Sequence, residues 1–230
     1  MPKLCDLQVH VNGQQIFVLK EKVVSKYCGS LKKIVNQHKR KSQIKNLDIE
    51  INDFPGGPDG FELVSRFCYN NGKIPITPSN VPLLHCCAVY LGMTEEVFSN
   101  NLLQQTETFL EGIYYWEWHE LISSLKSCEL FYSCADSCGL LEKLIFALLA
   151  KLAQNSDINL IATMTTSSSS SSSPEANSVN RFFSPSAKTT PEITKSPFPS
   201  SSRAWWYDDL TILPPLIIEK LLQTLGVQSR

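Results

Sequence analysis

The sequence has almost no net charge. Lys and Arg total 21 against 22 Asp and Glu, a formal balance of -1, so no global field draws it to nucleic acid or membrane. No apolar run approaches the roughly 18 residues that a spanning helix needs, and no transmembrane segment is expected. Met1-Pro2-Lys3-Leu4-Cys5 leads straight into a strand pattern, without the apolar core of a secretory signal. With eight Cys and no such signal, the expectation is a reducing compartment and free thiols.

Catalytic signatures are missing too. There is no Gly-x-Ser-x-Gly, His-Glu-x-x-His, P-loop or Gly-x-Gly-x-x-Gly. His10, His38, His85 and His119 are scattered, and His85 in an apolar helix reads as a satisfied core or boundary side chain. Asp136 and Glu142 have no partner that sequence alone can identify. A structural zinc site needs four ligands in short paired spacings. Only Cys134 and Cys138 make such a pair, with Cys128 before them, Cys86 and Cys87 merely adjacent, and His119 remote. Buried thiols acting as small apolar side chains are the expectation. The chain therefore reads as a non-enzyme without metal or cofactor.

What is present centres on Asp53 to Gly72. Leu47, Ile49 and Ile51 alternate with Asp48, Glu50 and Asn52, the period of a half-buried strand. Pro55, Gly56, Gly57 and Pro58 then turn the chain. Asp59 is placed as a helix N-cap, with Glu62 three residues on as in a capping box. Phe61, Leu63, Val64, Phe67 and Cys68 make this helix apolar on most sides, and Gly72 suits a left-handed C-cap.

Before this stretch, Leu7, Val9 and Val11 alternate as a first strand. Asn12-Gly13 is a strong hairpin signal, and Ile16 to Leu19 reads as the return strand. Val23 to Ile34 looks helical in two pieces, broken near Gly29. From Ser25 to Leu47 no acid interrupts Lys26, Lys32, Lys33, Lys39, Arg40, Lys41 and Lys45. This stretch reads either as a solvated loop or as a surface for an acidic partner or anionic headgroups. From Lys32 on no aromatic side chain lies between the basic ones, which argues against nucleic acid. After Gly72, Lys73 to Ile76 is a strand candidate and Asn80 to Leu91 a helix ended by Gly92. Thr94 is placed as the cap of a helix running to Gly112, and further helices are expected to Asn155.

From Thr165 to Arg203 the composition changes to Ser and Pro, with an unbroken Ser run from Ser167 to Ser173. Such a stretch is expected to be disordered. Ser173, Ser184, Thr190 and Ser196 each precede Pro, the pattern of proline-directed phosphorylation, which would add roughly -1.5 to -2 charge per site. Order is expected again at Trp205-Trp206-Tyr207-Asp208-Asp209-Leu210 and in a helix from Leu216 to Leu225.

Three stretches together carry a family resemblance: Asp53-Phe54-Pro55-Gly56-Gly57 with Phe61-Glu62-Leu63 and Phe67-Cys68-Tyr69; Leu84 to Glu96; and Trp205-Trp206 with Asp209-Leu210. The chain resembles the plant BTB/POZ proteins of the non-phototropic hypocotyl (root phototropism) family, in divergent and truncated form. Leu19 stands where the family usually has His, and Lys22 where Pro is common. The resemblance implies an α+β chain with a BTB/POZ fold, a small mixed sheet with surrounding helices, at residues 4–100. A helical extension at 101–160 and the Ser/Pro-rich linker at 161–203 would follow. Residues 204–230 would be the truncated start of a second helical domain, either exposed or folded back on the helical extension. It also implies a substrate-specific adaptor of a cullin-3-based ubiquitin ligase, holding an unknown protein substrate and pairing as a homodimer or heterodimer. The partner-binding residues expected are Phe61, Glu62 and Arg66 with Lys39, Arg40 and Lys41. The alternative is a dimeric scaffold in plant light or auxin signalling that never meets a cullin, since the basic stretch lacks the hydrophobic-x-Glu contact often carried there by cullin-binding BTB domains of other families. The expected location is cytoplasmic, with the plasma-membrane periphery or the nucleus as alternatives.

Overall fold

The computed structural model describes residues 6–41, 47–166 and 206–226. The hairpin signal is met. Strands β1 (Leu7–Val11) and β2 (Gln15–Leu19) pair antiparallel around Asn12 and Gly13, both at positive φ. β3 (Leu47–Ile51) joins the other side of β1 in parallel, giving a three-stranded sheet in the order β2-β1-β3. Leu7, Val9, Val11, Leu47, Ile49 and Ile51 all face the core, as their period of two requires.

Between β2 and β3 lie α1 (Glu21–Val24) and α2 (Gly29–Lys41), the two expected pieces, separated by residues 25–28 so that Gly29 opens the second. Much of the basic stretch read as a loop is thus helix. Leu31 and Val35, four apart, are buried, and one apolar stripe is enough to seat a helix whose other faces are polar.

α3 (Gly57–Tyr69) starts earlier than Asp59 suggests. Gly56 is the N-cap, with Pro58 and Asp59 in the first turn. There Pro costs no hydrogen bond and an acid favours the helix dipole. The fit of α3 to its neighbours is close. A Cβ on Gly60 would run into the Pro55 carbonyl oxygen and sit 3.0 Å from Cys87 Sγ. The helix ends as expected, with Gly72 at φ +77 and its N–H donating to Phe67 O at 2.9 Å.

Lys73 to Ile76 forms no strand, since no neighbouring strand offers it a ladder. α4 (Val81–Tyr90) follows. The segment after Gly92 is a run of turns, and α5 (Leu102–Glu111) is capped by Asn101 instead of Thr94. Asn101 is fully buried and fully engaged. It donates to Tyr27 O at 2.9 Å and Thr94 O at 3.1 Å and accepts from Leu102 N. Thr94 lends it only a carbonyl.

The second half is helical: α6 (Trp118–Ser127), α7 (Tyr132–Ser137) and α8 (Leu140–Thr166). Among residues 206–226 lie α9 (Tyr207–Leu210) and α10 (Pro215–Thr224); most of the stretch expected to be a disordered linker lies outside the described residues, α8 reaching into its start. Two hydrophobic clusters result. One joins the sheet to α2, α3 and α4; the other joins α4 to α6, α7, α8 and α10. The chain is thus α+β, with a small mixed sheet and surrounding helices, as the resemblance implied.

Two substitutions test this packing. Gly60→Ala should cost about 1–3 kcal/mol, the usual range for overpacking, and Phe67→Ala about 3–5 kcal/mol through the cavity it leaves. Urea denaturation reads both; an unchanged midpoint for Gly60→Ala would mean that α3 does not sit against Pro55.

Candidate interaction surfaces

Each expected partner-binding residue has a definite place. Phe61 is in the core, its ring 4.8 Å from Phe17 and 5.5 Å from Phe54 between centroids. It positions α3 and cannot itself present a face to a partner. Glu62 and Arg66 are on the open side of α3 and form an i,i+4 ion pair at 2.6 Å. Both are well exposed, so the pair adds little stability, and both side chains remain available.

Arg66 lines a groove of about 560 Å³ along α3. Leu63, Ile74 and Pro75 supply its apolar lining, while Tyr69 and Lys73 add polar ends. The non-strand path of residues 73–76 opens this groove, a consequence that sequence reading missed by expecting a strand there. Tyr69 ties the groove to the sheet, since its hydroxyl accepts the Lys20 N–H at 2.7 Å.

Lys39 and Arg40 belong to α2, outside that groove's lining. Lys39 is held to Glu21 at 2.6 Å. At 100° per residue, Lys32, Lys33, Lys39 and Arg40 fall on one side of α2, all exposed. Lys41 ends the helix; Lys45 lies outside the described residues. The candidate phosphorylation positions Ser173, Ser184, Thr190 and Ser196 also lie outside them.

A third surface is the outer face of β2, where Ile16 and Val18 are each 53% exposed. They are cross-strand from His10 and Gln8, on the side of the sheet away from the core. Two aliphatic side chains on an edge strand are a ready pairing surface.

The C-terminal helices do fold back. Leu213, Ile217 and Leu221 are buried in the second cluster. Trp118 Nε1 donates to Asp209 Oδ2 at 2.7 Å, and Lys220 Nζ meets Asp136 Oδ1 at 2.7 Å. The Asp136 carboxylate beside Lys220 raises the ammonium pKa. His85, as expected of a core histidine, is buried and shares a hydrogen bond of 3.1 Å with Thr106 Oγ1. Among the described residues no cluster of His, Cys, Asp and Glu is arranged to hold a metal, and the described cysteines are free.

No family model matches the chain. Curated relatives do. A BTB/POZ domain-containing protein of Arabidopsis thaliana is 48% identical over 233 residues, 98% of this chain and 42% of that protein. A second from the same plant is 36% identical across 97% of this chain and 41% of its own length. A third is 32% identical across 94% of this chain and 31% of its own. The chain thus spans less than half the length of these relatives.

The fold-back can be tested. Asp209→Ala removes a hydrogen bond to a charged acceptor, worth about 1.5–3 kcal/mol. Amide exchange in residues 215–224 should quicken while β1 and β3 stay protected. Unchanged exchange in α10 would mean that Asp209 does not anchor it.

Proposed function

From the chain's homology to plant BTB/POZ domain-containing proteins, we propose that it is a substrate-specific adaptor of a cullin-3-based ubiquitin ligase. In this reading the BTB/POZ part pairs two protomers and holds the cullin, and other segments hold the protein to be ubiquitinated. The groove beside α3 supports it best. It has an apolar lining from Leu63, Ile74 and Pro75 with Arg66 at its edge, the mixture of apolar anchor and Arg that protein interfaces favour. Pairing between copies is assigned to the outer face of β2, since an isologous interface needs one self-complementary patch. Ile16 and Val18 would be its apolar centre.

A second reading rests on α2. Its open side carries Lys32, Lys33, Lys39 and Arg40 with no acid in the helix. In a dimeric signalling scaffold that side would meet an acidic partner or anionic headgroups, and no cullin would be bound. Light or auxin signalling at the plasma-membrane periphery is where such a scaffold would act. The adaptor works in the cytoplasm in the first reading.

Titration of the full chain into the cullin-3 N-terminal domain, with light scattering alongside, separates the two. The adaptor reading expects a dimer binding at submicromolar affinity. Leu63→Asp should weaken that binding at least about tenfold, roughly 1.4 kcal/mol, without unfolding the chain. Val18→Asp should convert the dimer to a monomer. A folded dimer that fails to bind at tens of micromolar would leave the scaffold reading; a monomer at micromolar concentration would sink both.

A further inference from the structure

α2 carries its charge on one side. Lys32, Lys33, Asn36, Lys39 and Arg40 fall within roughly 120° of arc on a helix of ~3.6 residues per turn, and all five are exposed. Leu31 and Val35, on another side, are buried in the cluster under the sheet, so the basic side faces outward. The helix itself contains no acid. Glu21 of α1 meets Lys39 at 2.6 Å. Among the described residues no ion pair engages Lys32, Lys33 or Arg40.

The shape of this side narrows its partner. From Lys32 to Arg40 the cations are spread along about 12 Å of axis, at ~1.5 Å per residue. They stand side by side on a convex surface and do not converge on a point, so they match many anions in a plane better than one enclosed phosphate. A protein partner is a poorer match. Lys is depleted at the centres of protein interfaces, where aromatic and apolar side chains are wanted. Within this arc there is no apolar side chain, only Asn36 between the cations. Nucleic acid is a poorer match too, since the arc has no aromatic ring to stack on a base. An anionic lipid leaflet asks for none of these. Clustered Lys and Arg within a Debye length of its surface are enough.

We propose that the basic side of α2 is a docking surface for the headgroups of anionic phospholipids such as phosphatidylserine. The inference rests on the use that the scaffold reading makes of α2, and it names the partner. The contact is electrostatic and peripheral. Leu31 and Val35 are committed to the core, so α2 has no free apolar stripe to insert among acyl chains, unlike an amphipathic helix that lies within the interface. The helix is also already formed, so docking adds no helical structure. Each basic side chain near the leaflet strengthens association roughly fivefold, and the four together several hundredfold.

Flotation of the full chain with vesicles of phosphatidylcholine, alone or with a third phosphatidylserine, tests this. The chain should float with the mixed vesicles only, and salt at about 0.5 M should release it by screening. Circular dichroism should show no gain of helix on the vesicles. Lys32→Gln with Lys33→Gln, and separately Lys39→Gln with Arg40→Gln, should each weaken partitioning roughly 25-fold. Lys126→Gln with Lys143→Gln removes the same charge from exposed positions of α6 and α8 and should change partitioning by less than about twofold, since these side chains are not on α2. The inference is overturned by no flotation, by equal flotation with phosphatidylcholine, or by an equal loss in the Lys126 and Lys143 variant. It is overturned too if an Asp/Glu-rich peptide binds α2 more tightly than the vesicles do, which would make the partner a protein. Release by millimolar inorganic phosphate at constant ionic strength would mean a single phosphate site and would overturn it likewise. The cullin-3 titration decides the scaffold reading separately: cullin binding alongside flotation would remove that reading and keep the headgroup surface.

Discussion

One side chain holds the sheet to the helices. Asn12, in the hairpin turn, accepts the Phe54 N–H at 2.8 Å and donates to Phe54 O at 3.2 Å. Its own N–H donates to Ile51 O at 2.8 Å. The turn joining β1 to β2 is thereby fixed to the turn leaving β3. Phe54 lies between them, its ring packed on Phe61 and Tyr90. The Phe54 N–H would otherwise be costly to bury, while its carbonyl also accepts the Gly57 N–H at 2.9 Å. With Phe54 fixed, Pro55 and Gly56 can set the start of α3, and α3 can approach α4 closely enough to need Gly60.

From that clamp the interaction surfaces follow in order. The start of α3 sets which of its residues look inward. Phe61, Val64, Phe67 and Cys68 are buried, leaving Glu62 and Arg66 outside. The same rotation sends the chain after Gly72 along the helix as an open strap, so Ile74 and Pro75 line a groove with Leu63. The outer face of β2 depends on the clamp as well, because the register that buries Leu19 and half-buries Phe17 turns Ile16 and Val18 outward.

Much of the sheet layer was legible because its signals are local. The alternation of Leu47, Ile49 and Ile51 and the Asn12-Gly13 turn need no distant partner to be read. The readings that shifted depend on distant groups. Thr94 has the right side chain for a cap, yet Asn101 takes that role because Tyr27 O lies within its reach. Lys73 to Ile76 has strand composition but no strand to pair with. Lys32 to Lys41 looks like a loop when counted by charge, while its buried stripe of Leu31 and Val35 is short. Phe61 was read as surface because a helix apolar on most sides does not declare which side faces out. The cysteines were legible only as separate buried thiols, since the approach of Cys134 Sγ to Cys86 O comes from the packing of α4 on α7.

α4 has a further consequence. It is apolar nearly all round and is shared between layers. Leu84, Cys87 and Ala88 belong to the cluster under the sheet, while Val81 and Cys86 belong to the helical one. Neither layer can unfold alone without exposing to water the half of α4 that it covered, at about 25 cal/mol per Å² of apolar surface. Layers built this way melt together, although a sheet layer and a helical layer of this size are each large enough to suggest separate units. Calorimetry would then record one heat-absorption peak for both, and two resolved peaks would mean that α4 does not couple them.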